Sequence, residues 1–432
     1  MTLTQSTLNT SHTIHDKTID NAKTIANTQS NTTKYDFLGQ SYASMYPNLH
    51  KYPATMLPQI GLELLRDFKV KKTNLLDPYC GSGSSFISGI EYGMTHFVGF
   101  DLNPLAIRIA KAKLIFIESK YLLEEKERLL GQIYKKHTMP LDSNPLENIT
   151  NLDFWIGKEA QESLVHIFSC IQQYSDENVQ NLFILAFSET LREVSYTRNN
   201  EFKLFRMKEH ETYKPDTYKV FIKNMESLIK NYLDFYQPKL HSLSFKLINS
   251  SFTNTQQKFD CILTSPPYGD SKTTVAYGQF STFINEWLGF REARKLDSKL
   301  MGGKKARSLY QKGIMRECIT KISKQNSKRA LEISSFYFDL EKSIQNVADS
   351  INIGGKVFYV VGNRRVKNIE LPTDKFITEA FCKNGFTHLE TIKRKISNKS
   401  MPLRNSPTNK TGILSNTMNE EYIVVCEKID LK

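Results

Sequence analysis

An apolar run that ends on two prolines gives the clearest indication of the fold: Phe259-Asp260-Cys261-Ile262-Leu263-Thr264-Ser265-Pro266-Pro267-Tyr268-Gly269. Its first part is typical of a buried strand in a parallel sheet. Because a proline pair stops both a strand and a helix, the chain must turn at the carboxyl end of this strand. Open α/β sheets bind their ligands at that edge. Ser265 and Tyr268 are therefore candidates for a reaction centre, and a rigid surface turn is the alternative.

A second informative stretch lies nearer the amino terminus: Asn74-Leu75-Leu76-Asp77-Pro78-Tyr79-Cys80-Gly81-Ser82-Gly83-Ser84-Ser85. It reads as a short strand, a glycine turn and the start of a helix. Gly81 and Gly83 allow the backbone to approach a ligand, and the first NH groups of the helix favour an anionic or carboxylate-bearing one. The spacing matches neither a P-loop nor a complete Gly-x-Gly-x-x-Gly motif.

The strand that follows this helix ends on Asp101, 18 residues beyond Gly83. An acidic residue at that place in a βαβ unit characteristically binds ribose hydroxyls. The glycine turn and the acid together predict a cofactor that contains a nucleoside.

Length and composition exclude several classes of protein. The 432 residues suffice for two or three domains, or for one domain with large insertions. The sequence contains no run of about 18 apolar residues, as a membrane span needs, and no signal peptide, so we expect a cytoplasmic protein that does not contact a membrane. Six cysteines without Cys-x-x-Cys spacing argue against a zinc site and a disulfide framework.

The positive charge is concentrated in two blocks. The formal charge is +13 and the isoelectric point is near 9.2, which suits a polyanionic partner. Residues 291–330 contain 13 Lys and Arg against three Asp and Glu, and residues 391–410 contain six basic residues and no acidic one. This distribution favours phosphate contacts over an evenly solvated surface.

The chain divides into four predicted segments. Residues 1–33 contain no Phe, Trp or Tyr, so they cannot offset the entropy of ordering, and we expect a disordered tail. Residues 34–120 form the cofactor-binding half of an α/β domain. Residues 121–239 show apolar residues at helical spacing and form a helical insertion. Residues 240–432 form the half that carries the candidate reaction centre, the predicted catalytic half, and they include a basic segment at 291–330 that we expect to bind a nucleic acid such as DNA.

The region that reads a nucleic acid sequence has two candidates. One is the helical insertion, where the segment Arg198–Arg206 is basic and aromatic. That segment either faces nucleic acid or packs its two phenylalanines into the insertion, and both interpretations stay open. The other candidate is the basic stretch after Tyr268.

Several motifs in a consistent order resemble those of the DNA amino-methyltransferases. Asp77–Gly83 looks like their methyl-donor motif, and Ser265–Tyr268 looks like their catalytic motif. The preceding Tyr52-Pro53-Ala54-Thr55 and the acid Asp101 also lie where the family has counterparts. The resemblance covers roughly residues 35–428. It implies a Rossmann-like, mostly parallel sheet of seven strands with helices on both faces, S-adenosylmethionine as cofactor and double-stranded DNA as partner.

The resemblance also assigns site residues. The catalytic residues it implies are Ser265, Pro266, Pro267 and Tyr268. The cofactor-binding residues it implies are Tyr52, Pro53, Thr55, Asp77, Pro78, Tyr79, Cys80, Gly81, Gly83, Ser84, Asp101, Leu102 and Asn103. For DNA contact we predict the basic residues Lys304, Lys305, Arg307, Arg198, Arg206, Lys395 and Arg404. No metal is expected.

The catalytic motif suits methylation of an exocyclic amine. Such an amine is a poor nucleophile, because its lone pair is delocalised into the ring. The Ser265 hydroxyl and the Pro266 carbonyl can accept hydrogen bonds from it, and Tyr268 can stack on a base that has left the helix. The sequence has no Pro-Cys motif for carbon-5 methylation, so Cys80 and Cys261 are interpreted as packed residues.

Serine at the first position of this motif accompanies N4-cytosine methylation in most of the family, so cytosine is the predicted base. N6-adenine methylation is the alternative. A methyltransferase of structured RNA and a non-catalytic nucleic-acid-binding protein are less favoured readings. The family resemblance also suggests a restriction-modification system, with a cognate endonuclease as partner.

Overall fold

A computed structural model of the protein describes residues 33–53, 55–135, 139–198, 201–253, 255–270, 275–396, 404–405, 415–416 and 418–430. The predicted disordered tail, apart from Thr33, lies outside the described residues. So does Ala54 of the Tyr52–Thr55 motif.

A seven-stranded sheet forms the centre of the fold. Its strands are β1 (Asn74–Asp77), β2 (His96–Phe100), β3 (Ser244–Ile248), β4 (Phe259–Thr264), β5 (Ile351–Val361), β6 (Phe386–Lys395) and β7 (Glu420–Lys428). Their order across the sheet is β3-β2-β1-β4-β5-β7-β6. Strand β7 runs antiparallel to both of its neighbours, and the pairs from β3 to β5 are parallel. The predicted mostly parallel α/β sheet is therefore confirmed.

Helices make up most of the remaining described structure. They are α1 (Pro58–Asp67), α2 (Ser84–Tyr92), α3 (Pro104–Ala112), α4 (Ser119–Tyr134), α5 (Leu152–Trp155), α6 (Lys158–Ile171), α7 (Glu177–Val194), α8 (Thr217–Asn231), α9 (Tyr277–Trp287), α10 (Leu296–Lys299), α11 (Met315–Gln325), α12 (Ser327–Ala348) and α13 (Thr373–Lys383). A π-helical turn, Tyr232–Tyr236, continues α8. Two-residue strands pair Arg365–Val366 with Ile369–Glu370 and Arg404–Asn405 with Ser415–Asn416.

The central strands are buried on both faces, which explains their apolar sequences. Alternate residues contribute to different cores because side chains along a strand point to opposite faces. Leu75 and Leu263 pack in one apolar cluster with α1 and α2. Leu76 and Ile262 pack in another with α11, α12 and α13. Helices therefore cover both faces of the sheet, as predicted.

The helical insertion shares its core with the sheet domain. A single apolar cluster includes residues of α3, α6, α7, α8 and α9. The ring of Phe187 in α7 lies 5.1 Å from that of Trp287 in α9, and the Asn181 side chain hydrogen-bonds Arg108 of α3. Asp176 and Asp216 cap the starts of α7 and α8 with their carboxylates. The predicted helical character is confirmed, and the domain limits drawn above stay predictions.

The topology brings separate stretches of sequence to one edge of the sheet. Strand β1 lies between β2 and β4, and these three parallel strands end beside one another. Asp77, Asp101 and Ser265 lie at or directly after their carboxyl ends. Parallel sheets bind ligands at such an edge, where the strand order reverses.

Candidate active site

A cleft of about 380 Å³ opens at this edge of the sheet, a size typical of small-molecule sites. Ser265 and Pro267 of the predicted catalytic motif line it. Pro53 and Gly83 do not belong to its lining. The other predicted cofactor-binding residues do: Tyr52, Thr55, Asp77, Pro78, Tyr79, Cys80, Gly81, Ser84, Asp101, Leu102 and Asn103.

The buried carboxylate of Asp77 ties the glycine turn to the catalytic strand. It accepts hydrogen bonds from the Thr264 hydroxyl at 2.6 Å, from the Tyr79 NH at 3.0 Å and from the Ser85 hydroxyl. Burial raises the pKa of Asp77 to about 6 despite these donors. Because Thr264 directly precedes Ser265, this contact fixes the segment Ser265–Tyr268, named the catalytic corner for its predicted role, relative to the glycine turn.

Asp101 organises the second wall of the cleft. Its carboxylate accepts hydrogen bonds from the Gly81 NH at 3.0 Å and from the Asn103 NH at 2.8 Å. Burial raises the pKa of Asp101 to about 6. The Asn103 amide donates to the Tyr52 hydroxyl at 3.0 Å and accepts from Asn285 at 3.1 Å. The acid is thus held in place by backbone groups at the cleft.

The two glycines of the turn have different roles. Gly81 has a φ of +49° and open space where a side chain would begin, so a ligand can approach its backbone. Gly83 has a φ of +81°, and a Cβ there would lie 3.2 Å from the Cβ of Ala110. Gly83 therefore allows close packing of α2 on α3, and its contact with the cofactor stays a prediction.

Helix α12 supplies a wall of the cleft that the sequence analysis missed. Asp339, Lys342, Ser343 and Asn346 line the cleft, and Ser343 hydrogen-bonds the Tyr79 hydroxyl. These four polar residues follow helical spacing on one face of α12. A polar stripe on a helix whose opposite face is apolar is visible in the sequence. It is the signal that could have indicated that α12 lines a site.

The catalytic corner is held by residues from distant strands. The Ser265 hydroxyl donates to the Tyr268 oxygen at 3.2 Å, and the Tyr268 hydroxyl donates to a Glu421 carboxylate oxygen at 2.9 Å. Arg394 forms an ion pair with Glu421. The Tyr268 ring lies so close to Gly362 that a Cβ on that glycine would be 2.9 Å from a ring carbon. Burial and the charge of Glu421 raise the pKa of Tyr268 well above its usual range.

Asp270 anchors the chain just after the corner. Its buried carboxylate accepts from Arg329 at 2.7 Å and from Arg364 at 2.9 Å. A Cβ on Gly269 would lie 2.1 Å from the Arg364 guanidinium, so only glycine permits this approach. Arg329 belongs to the basic segment 291–330 but serves this ion pair.

Sequence comparison supplies the family. No family model matches the chain. The type II methyltransferase M.MvaI of Kocuria varians is 36% identical over 422 residues, which covers 90% of this chain and 92% of that protein. This chain belongs to the type II methyltransferases. The crystal structure of a proposed DNA modification methylase from Thermus thermophilus aligns with 26% of this chain and 40% of its own, at 21% identity and a TM-score of 0.17. A likeness that small adds nothing to the assignment.

The methyltransferase has exposed basic residues next to the cleft. Lys299, Leu300 and Met301 line it, and Lys304, Lys305 and Arg307 follow directly on the surface. Within the part of the chain that the structure describes, these last three have no carboxylate partner within ion-pair distance. Their charges are available for phosphate, whereas that of Arg329 is neutralised.

Thr197 and Arg206 of the methyltransferase pair in an antiparallel bridge, and the Arg198 NH donates to the Phe205 carbonyl at 2.8 Å. Phe202 and Phe205 are 42% and 46% exposed, so they do not pack into the insertion. Arg198 is exposed, but the Arg206 guanidinium lies 4.1 Å from the Phe154 ring centre and is half-buried. Arg206 is thus engaged in packing, and its DNA contact stays a prediction.

The last two predicted DNA ligands lie near the end of the chain. Lys395 is exposed at the end of β6, and its NH donates to Asp36 at 2.7 Å. Arg404 belongs to a two-residue strand whose side chains lie outside the described residues. Both assignments stay predictions.

The described residues of the methyltransferase contain no group of three or more His, Cys, Asp and Glu side chains suited to a metal ion. In the same ranges, no helix has the length and apolarity to cross a bilayer. Cys80 lines the cleft, but burial raises the pKa of its thiol well above the usual range, so it is held as the neutral thiol.

Proposed function

We propose that this type II methyltransferase transfers a methyl group from S-adenosylmethionine to the exocyclic N4 amine of cytosine in double-stranded DNA at a specific sequence. The observation that carries the proposal is the convergence of Gly81, Asp101 and Ser265 on one cleft. The Asp77–Thr264 hydrogen bond fixes the spacing of the two motifs. A donor bound by the first motif would therefore lie beside the second.

The residues of the cleft fit S-adenosylmethionine. The Asp101 carboxylate can accept ribose hydroxyls, and the open approach to Gly81 suits the backbone contacts of a bound donor. Tyr52, Thr55 and the remaining cleft residues named above would enclose it. When bound, this cofactor supplies an electrophilic methyl group.

The catalytic corner would activate the amine by hydrogen bonding. The Ser265 hydroxyl oxygen and the Pro266 carbonyl are the proposed acceptors for the two N–H groups. Accepting both bonds draws the nitrogen lone pair out of conjugation with the base, which makes it a nucleophile. Pro266 and Pro267 restrict the backbone, so the acceptors are preorganised rather than collected at the moment of reaction.

Tyr268 would stack on a flipped base. Base flipping costs a few kcal/mol, and stacking on an aromatic side chain recovers about 1 to 3 kcal/mol. Lys304, Lys305 and Arg307 would hold the phosphates beside the cleft, and Arg198, Phe202 and Phe205 would provide a further exposed basic and aromatic surface. The family suggests a cognate restriction endonuclease that acts on the same site.

Transfer of labelled methyl groups to unmethylated DNA and to RNA tests the proposal. We expect labelling of double-stranded DNA, and we expect Ser265→Ala to slow it by about 10² to 10³, as loss of a preorganised hydrogen bond at a reacting centre does. Tyr268→Ala should weaken use of DNA. Labelling of RNA alone would support the RNA methyltransferase reading, and no labelling of either would contradict the proposal.

A further inference from the structure

A chain of hydrogen bonds connects Ser265 to an ion pair behind the catalytic corner. It runs from the Ser265 hydroxyl through the Tyr268 hydroxyl to the Glu421 carboxylate. Glu421 lies at the start of β7, 153 residues from Tyr268 in sequence. Its partner Arg394 lies on β6, opposite Glu421 across the β6–β7 pairing. These hydrogen bonds thus connect the catalytic motif to β6 and β7, two strands that contain no residue of the motif.

The last group of this hydrogen-bond chain, the Glu421 carboxylate, is held in position by a buried ion pair. The Arg394 side chain is 2% exposed and that of Glu421 is 14% exposed. Besides Glu421, Arg394 donates to the backbone carbonyls of Tyr35 at 2.7 Å and Asp36 at 3.3 Å. The guanidinium therefore has a defined orientation, and its ion pair aims the Glu421 carboxylate at Tyr268.

The direction of each hydrogen bond follows from the ion pair between Glu421 and Arg394. An ionised carboxylate can only accept, so the Tyr268 hydroxyl must donate to Glu421. The Tyr268 oxygen is then left as an acceptor for the single proton of Ser265. With that proton directed away, the lone pairs of the Ser265 oxygen are free for the N–H of a substrate amine.

We propose that Glu421, held by Arg394, is a positioning residue that makes Ser265 a hydrogen-bond acceptor by way of Tyr268. The inference rests on the proposed function only in taking an exocyclic amine as the group that Ser265 contacts. It gives the tyrosine a second role besides stacking, because its hydroxyl sets the orientation of the serine proton. A serine hydroxyl that otherwise rotates freely becomes a fixed acceptor.

A purely structural role for Glu421 makes a different prediction, since the ion pair also joins β6 and β7. The neighbouring residue Glu420 provides a matched control. It starts the same strand, pairs with Lys393 on the adjacent strand at 2.8 Å, and its side chain is 43% exposed. Glu420→Gln removes an ion pair between the same two strands without touching the hydrogen-bond chain.

A double-mutant cycle of Glu421→Gln and Tyr268→Phe tests the proposal. The readouts are the single-turnover methylation rate, the donor dissociation constant and the melting temperature. Tyr268→Phe keeps the ring and the Glu421–Arg394 pair, so it does not threaten the fold. We expect each single change to slow methyl transfer by about 10- to 100-fold, the scale of a partner that orients a reacting group, with donor binding within about twofold.

The double variant should be no slower than the slower single variant, because both changes break one chain. The Glu420→Gln variant should transfer the methyl group at the wild-type rate. A wild-type rate for Tyr268→Phe would overturn the proposal, as would losses that multiply in the double variant. The cycle is measured on whichever base the wild-type protein methylates. Adenine or RNA as acceptor would therefore contradict the proposed function while the coupling still decides the role of Glu421.

Discussion

Asp101, on the donor side of the cleft, is held by residues close in sequence, whereas Tyr268 and Asp270 at the catalytic corner are held by residues far along the chain. Asp101 binds the NH groups of Gly81 and Asn103, all within one βαβ unit. Tyr268 binds Glu421, and Asp270 binds Arg329 and Arg364, at separations of 153, 59 and 94 residues.

The difference indicates what each half depends on. The contacts of Asp101 are set by backbone geometry that a short stretch of sequence encodes, so they need less from the remaining fold. The corner depends on buried ion pairs that exist only once the sheet and α12 have assembled. Changes at the ion pairs should therefore affect folding and catalysis, and changes on the donor side should affect ligand affinity.

The largest effect is expected from Asp270→Ala. It would leave the Arg329 and Arg364 guanidiniums, both largely buried, without their shared carboxylate. Breaking a buried pair on one side typically costs about 3 to 5 kcal/mol. Urea unfolding of the variant should show a loss of free energy of unfolding of that order.

The matched control is Glu370→Ala, which removes an acid from an exposed pair with Arg365. That change should cost less than about 1 kcal/mol. Equal losses for the two variants would mean that the corner is no more dependent on its ion pair than an ordinary surface site.

The next largest effect is expected at the Thr264–Asp77 hydrogen bond, which links the donor side of the cleft to the catalytic corner. Thr264→Val keeps the shape and removes the hydroxyl donor, at a cost of about 1 to 3 kcal/mol. The pKa of Asp77 should rise above about 6, because one cause that lowers it is lost. A protonated carboxyl does not need this donor, so the cost should be larger at pH 8 than at pH 5.

Unfolding free energies measured at both pH values check this. Thr391→Val is the control, since the Thr391 hydroxyl bonds His388 on the exposed surface of β6, and it should change stability by less than about 0.5 kcal/mol. A loss at Thr264 that does not depend on pH would contradict the role given to Asp77.

A smaller effect, confined to the donor side, is expected in how the affinity for S-adenosylmethionine depends on pH. Because burial raises the pKa of Asp101 to about 6, its carboxylate is ionised above that pH and becomes protonated below it. If ribose hydroxyls bind the ionised form, the dissociation constant of S-adenosylmethionine should rise about tenfold between pH 7 and pH 5. Asp101→Asn should bind the donor weakly and without that rise, and a variant that retained the full pH dependence would exclude Asp101 as its source.

The smallest effect on the folded protein is expected from replacing Lys304, Lys305 and Arg307 together with alanine. All three are exposed, so melting temperature and donor affinity should not change. The slope of DNA affinity against salt concentration should fall by about 2 to 3, since each lost phosphate contact contributes about 0.9. An unchanged slope would remove the basic segment from the DNA-binding surface.

The sequence was sufficient for the donor side because motifs there are local. The glycine turn, the acid at Asp101 and the apolar strands can each be recognised within a few residues, and the parallel sheet follows from their order. Gly83 shows the limit of this reasoning. The motif predicts a ligand contact for this glycine, and the structure adds a packing role against Ala110 that no local pattern shows.

Sequence could not predict the support of the corner because its partners have no local pattern. Glu421 is one of two adjacent glutamates at the start of a strand, and only the register of β7 against β6 decides which faces Arg394. Asp270 and Arg364 are ordinary charged residues until the sheet places them together. The polar stripe of α12 was visible, but its direction depends on how the helix packs.

Mass spectrometry of the nucleosides from double-stranded DNA that the purified protein has methylated tests the central claim most directly. We expect N4-methylcytosine, and about 10²- to 10³-fold less of it from the Ser265→Ala variant in the same short reaction time. N6-methyladenine as the sole product would contradict it.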